Sequence, residues 1–231
     1  MKSILLTAFA VLLATCIARP AQSDEPAPPV PQPAYGVEGK SLFQEDFTSG
    51  KLDEAWQIMK GHWEVKDGAL VGAQVPEQNH AAVLRREIAL HDFIAEFNFK
   101  FDGGKATKLV INKNASHIAT VSIWTGEITI DTRPEKDPGK KVTRLDSQTL
   151  KLSPESSHRV VIEVVGNLIV ATVDGRFLLF GQDDGLDIDK TSFDFAANGS
   201  TAIQSMRITQ AAPPADPDAA RRKLQTLRPA K

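Results

Sequence analysis

From Phe93 to Phe101 the chain alternates: Phe93, Ala95, Phe97, Phe99 and Phe101 are apolar, while Glu96, Asn98 and Lys100 take places between them. Successive side chains of a strand point to opposite faces, so this run is one long strand with a packed face and a wetted face. A row of phenylalanines on one side of a strand needs a second apolar layer against it. That requirement constrains the fold more than any other feature of the chain.

The same period of two recurs elsewhere. Alternating runs at residues 42–47, 62–72, 82–88, 107–112, 117–125, 127–133 and 142–152 are separated by turn signals such as Asp67-Gly68, Asp102-Gly103-Gly104 and Gly126. Residues 159–165, 168–173 and 177–180 are almost continuously apolar, joined by Gly166-Asn167 and Asp174-Gly175, and read as central strands covered on both faces. Residues 191–196 and 202–209 complete the set, and residues 52–56 read as a short connection or helical turn. No helix-period segment is long enough for a parallel crossover, which excludes most nucleotide-binding architectures. The fold class expected is all-β, an antiparallel two-sheet jelly-roll sandwich.

The ends differ in composition from the middle. Residues 1–23 read as an export signal, with Lys2 ahead of an apolar run from Ile4 to Ile17 and small residues at Ala21-Gln22-Ser23. The alternative is lipoprotein processing at Cys16, for which Thr15 is a poor preceding residue. Export predicts a periplasmic or extracellular location and no integral membrane segment once the signal is cleaved. Residues 24–40 form a Pro-rich spacer, residues 41–210 the sandwich, and residues 211–231 an Ala/Pro-rich basic tail with a short helix over 219–227 started by Asp216-Pro217-Asp218. The tail reads as solvated, or as a contact for an acidic partner.

The formal charge of the chain is −2, and cleavage after Ser23 would make it more negative by removing Lys2 and Arg19. That argues against a nucleic-acid surface. The lone Cys16 lies in the signal, so the mature chain has no disulfide, thiolate nucleophile or cysteine metal site.

Gly61-His62-Trp63-Glu64-Val65-Lys66-Asp67-Gly68-Ala69-Leu70 resembles the opening of secreted bacterial domains related to the 3-keto-disaccharide hydrolases. Ile169-Val170-Ala171-Thr172-Val173-Asp174-Gly175 resembles their late hairpin, and Gly185-Leu186, Phe193-Asp194-Phe195, Gly199 and Met206-Arg207-Ile208 follow in the family's order. The resemblance spans residues 42–208 and implies a concanavalin A-like jelly roll of the laminin-G and glucanase kind. Two departures bear on activity. Gly104-Lys105-Ala106-Thr107-Lys108 stands where sugar-acting members carry Asn-Ser-Gly, and the Glu-x-Asp-x-x-Glu run of the glucanases is absent. Fold likeness alone supplies no activity.

Candidate chemistry gathers on one strand face. Glu127, Thr129 and Asp131 alternate with Ile128 and Ile130, and Trp124 shares a face with Thr120 and Ser122. A flat ring beside hydroxyls and carboxylates suits a saccharide, so Trp124, Glu127, Thr129, Asp131, Arg133 and His117 are the expected ligand contacts. Glu127, Asp131 and His117 are the catalytic candidates. Residues four apart on a strand lie roughly 13 Å apart, beyond the about 5–9.5 Å separating a glycosidase's two carboxyls, unless the strand bends. The chain has no HExxH, nucleophile elbow or phosphate loop. Trp56 and Trp63 are expected in the core. No cofactor is required, save that Asp183, Asp184, Asp187 and Asp189 could hold a structural calcium. Three functions are consistent with this: a non-catalytic carbohydrate-binding domain, a glycosidase or keto-glycoside-cleaving enzyme, and a structural or interaction scaffold whose tail or spacer makes the contact.

Overall fold

The computed structural model describes residues 32–133 and 142–228. The proposed signal, its Cys16, most of the spacer and the charged loop at 134–141 lie outside the described residues. Fifteen strands run in order: β1 (Val37–Glu45), β2 (Trp56–Lys60), β3 (His62–Lys66), β4 (Ala69–Ala73), β5 (Ala82–Leu90), β6 (Phe93–Lys100), β7 (Ala106–Lys113), β8 (Ser116–Trp124), β9 (Glu127–Thr132), β10 (Thr143–Thr149), β11 (His158–Val165), β12 (Leu168–Val173), β13 (Phe177–Gln182), β14 (Lys190–Asn198) and β15 (Ser200–Ala212). One helix, α1 (Pro217–Leu227), follows.

The strands form two antiparallel sheets. One has the order β13-β12-β11-β6-β15-β4-β3 with β1 paired to β15, and the other β10-β9-β8-β7-β14-β5-β2. Phe93, Phe97 and Phe99 of β6 and the flanking Phe101 turn inward against Phe193 and Phe195 of β14, Val121 and Ile123 of β8 and Ile128 and Ile130 of β9. The phenylalanine row therefore meets the second sheet that it required. Trp56 and Trp63 are both in this core. The Trp56 ring stacks on Phe195 and meets Phe193 and Phe43 edge-on. Trp63 lies across from Gly72 in the β3–β4 ladder, where a Cβ would stand 2.3 Å from its ring, so only a glycine leaves room for the indole.

The structure departs from the sequence reading in three places. Residues 57–60, to which the sequence reading gave no element, continue a strand from Trp56, after a turn within the expected connection at 52–56: β2 is an edge strand paired to β5, and its exposed Ile58 and Met59 hid the alternation. β1 begins at Val37, ahead of the expected start at residue 41, because the extended end of β15 offers Ala212 and Ala211 as partners. The C-terminal segment is packed: α1, capped by Asp216 accepting from the Ala219 N–H, buries Leu224. Leu224 and Tyr35 cover Val165, Leu168, Val170 and Leu178 on the outer face of the eight-stranded sheet, which is why β11–β13 read as apolar on both faces. Glu163 holds the segment ahead of β1 by accepting from the N–H groups of Ala34, Tyr35 and Gly36 at 2.6–3.0 Å. Burial raises its pKa, against the pull of those three N–H donors.

Candidate saccharide site on the seven-stranded sheet

The inward face of the seven-stranded sheet is core, so its chemistry lies on the outer face. There the register sets side chains in rows across the strands. Val110 of β7 pairs with Asp194 of β14 on one side and Thr120 of β8 on the other. Asp194 pairs in turn with Arg85 of β5, Thr120 with Asp131 of β9, and Asp131 with Arg144 of β10. The next row runs Val83, Ala196, Lys108, Ser122, Thr129 and Ser147.

These rows floor a cleft of about 390 Å³. Val83, Val110, Ala196 and Met59 give it apolar surface, and Lys60, His80, Arg85, Lys108, His117, Thr120, Arg133 and Asp194 supply polar groups. Asp194 is 1% exposed and its carboxylate takes two hydrogen bonds from Arg85, Nε at 2.7 Å and Nη2 at 3.0 Å. This bidentate pair, which raises the guanidinium pKa, locks the floor. His117 Nδ1 lies 2.6 Å from Asn112 Oδ1, and Asn112 Nδ2 donates to Ser192. An amide oxygen accepts only, so Nδ1 carries the proton and Nε2 is left as an acceptor. Burial pushes the His117 pKa down, with Asp194 pulling up and Arg133, Arg85 and His80 pushing down. The imidazole is therefore neutral at pH 7.

Of the residues expected from sequence, His117 and Arg133 line the cleft, while Trp124 and Glu127 sit at the far end of the β8–β9 hairpin. His117 and Trp124, seven residues apart on one strand, are separated by roughly 23 Å. Lys108 lies between them, its Nζ 5.3 Å from the Trp124 ring centroid. Thr129 is buried and gives its hydroxyl to Asp131, so it is not available to a ligand. Glu127 and Asp131 do not stand as an isolated pair. Both lean to Arg144, whose Nε is 2.5 Å from Asp131 and Nη1 3.9 Å from Glu127. Their oxygens are thus nearer than the strand spacing implies, but a guanidinium sits where a scissile oxygen would have to lie.

The acidic loop does not converge. Asp183 accepts from Thr132 and from the Gly185 N–H, and Asp184 from Asn167. Asp187 and Asp189 approach His91 instead. Asp187 groups with His91 and Asp92. Beside them the Lys190 ammonium is buried and donates to the His91 carbonyl at 2.6 Å, and Asp92, Asp187 and Asp189 raise its pKa against burial.

Sequence reasoning missed Arg85, Asp194, Lys108, Val110 and Met59. Asp194 carried a signal, an acid between Phe193 and Phe195 on a strand whose neighbours are core.

The sequence matches no protein-family model and no curated protein. Solved structures do match. The carbohydrate binding module CBM66 from Bacillus subtilis superposes with a TM-score of 0.54 at 11% identity, over 68% of this chain and 94% of that one. The β-glucanase of Bacillus licheniformis gives 0.57 at 13%, over 74% and 99%. The GlcNAcα1-4Gal-releasing endo-β-galactosidase from Clostridium perfringens gives 0.56 at 14%, over 80% and 65%. The fold is the concanavalin A-like jelly roll. Among these proteins it serves a binding module and two enzymes, so the fold does not choose between them. Among the described residues no helix is long and apolar enough to cross a membrane.

Proposed function

We propose that this chain is an exported, non-catalytic carbohydrate-binding domain that takes a saccharide on the outer face of its seven-stranded sheet. The observation that carries this reading is the cleft itself: apolar floor at Val83, Val110 and Ala196, lined also by the polar His117, Thr120 and Arg85. A pyranose presents an apolar ring face and a rim of hydroxyls, which such a lining matches. Trp124, half-buried on the same face, extends the surface toward the hairpin end. The printed identities of the structural neighbours support a saccharide ligand.

The nearby carboxylates favour holding over cleaving. Asp194 is committed to Arg85, and Asp131 and Glu127 to Arg144, which among the described residues leaves no acid and base pair flanking an open position. The test is a glycan array followed by calorimetry on the full chain. Oligosaccharide binding is expected without turnover, and His117→Ala, in the cleft lining, should weaken it about tenfold, some 1.4 kcal/mol. Absence of binding across the array, or release of reducing sugar from the bound oligosaccharide, would contradict the reading.

A further inference from the structure

The charge around the cleft is opposite to that of the chain. Although the whole sequence carries a formal −2, the opening is rimmed by Lys60, Lys108 and Arg133. Among the described residues, the carboxylates that face it are already engaged or displaced to the edge. Arg85 holds Asp194 in a bidentate pair, Arg144 holds Asp131, and Glu87 is exposed further along β5. Among the described residues no carboxylate forms an ion pair with Lys108 or Arg133.

We propose that the saccharide taken by this cleft is anionic, with its carboxylate or sulfate ester seated between Lys108 and Arg133. This rests on the carbohydrate reading and narrows it to a ligand class. Lys108 is half-buried against the Trp124 ring, and burial holds its ammonium below the ordinary lysine pKa, with Asp131 opposing and Arg133 adding to the effect. Two cations close enough to repel, one of them partly desolvated, are disfavoured in the free protein; an anion placed between them removes the repulsion and supplies the missing acceptor. A charged sugar also satisfies the two ends of the site at once. The ring packs on Trp124 or the Val110–Ala196 floor, and the anionic substituent takes the charge-assisted hydrogen bonds.

The experiment is calorimetry of the full chain with three size-matched oligosaccharides: a neutral β-glucan, an oligogalacturonate and a sulfated galactan. The oligogalacturonate or the sulfated galactan should bind at least about tenfold tighter than the neutral sugar, the worth of one hydrogen bond to a charged group, and whichever does so identifies the anion. Arg133→Gln, at an exposed position, and Lys108→Gln should each weaken the anionic sugar more than the neutral one and so close the gap between them. Raising the salt from about 0.05 to 0.5 M should erode it as the charges are screened. Neutral sugar bound as tightly as both anionic ones would overturn the anionic proposal and leave the carbohydrate reading standing. No binding of any of the three would overturn both, and an advantage that survives both substitutions would overturn the assignment to Lys108 and Arg133.

Discussion

Arg85→Met is expected to lower unfolding stability by about 3–5 kcal/mol, read from the urea midpoint at constant slope. The cause is the carboxylate left behind. Asp194 is 1% exposed and receives both of its side-chain hydrogen bonds from Arg85, so it cannot turn to water when the guanidinium is removed. A buried charge with no partner costs far more than the pair contributed, whereas replacing both partners by apolar groups removes the difficulty. Arg85→Met/Asp194→Leu should therefore recover most of the loss, since the two residues face each other directly across the β5–β14 ladder. The double variant falling as far as the sum of its singles would show that the pair is not coupled in this way. Because the pair floors the cleft, the rescued double variant separates stability from binding: it should fold and bind sugar poorly.

Lys190 is the second large effect, and its sign depends on pH. Burial lowers its pKa from 10.5 to about 8, while Asp92, Asp187 and Asp189 pull the other way. A lysine whose folded pKa is depressed binds fewer protons folded than unfolded between the two values, so its contribution to stability rises with pH across that window. Below about pH 8 the ammonium is charged in both states and the cost of burying it is fully present; above about pH 10.5 it is neutral in both and the cost is gone. Lys190→Met should differ from the parent by an amount that is constant below pH 8 and shifts by about 3 kcal/mol in the parent's favour by pH 10.5. The packing effect of methionine is independent of pH, so the change in the difference is the quantity to measure. A difference that stays flat through that window would mean that Lys190 titrates as an ordinary surface lysine.

The architecture was legible because its signal is local. The alternation in β6 and the Asp67-Gly68 turn are each written in a few consecutive residues, and each constrains a face or a reversal of the chain. β11–β13 showed their two-sided burial in an unbroken apolar run, although what covers them, Leu224 of α1 and Tyr35 ahead of β1, could not be seen. The edge strand β2 was missed because an edge exposes residues that a central strand would bury. The site was less legible for a different reason. Val110, Asp194 and Arg85 are set side by side by sheet register, and Arg85 and Asp194 lie 109 residues apart in sequence. The candidates chosen from one hairpin shared its face, but a hairpin extends along its strands whereas the cleft is built across them. Thus His117 and Arg133 meet there and Trp124 and Glu127 do not.

The most direct measurement is an amide chemical-shift titration of the isotope-labelled full chain with the oligosaccharide that binds best. Carbohydrate binding at this face requires saturable shifts on β5, β7, β8 and β14, strongest around Arg85, Val110, His117 and Asp194. Shifts confined to the eight-stranded sheet or α1, or none at about 1 mM ligand, would contradict it.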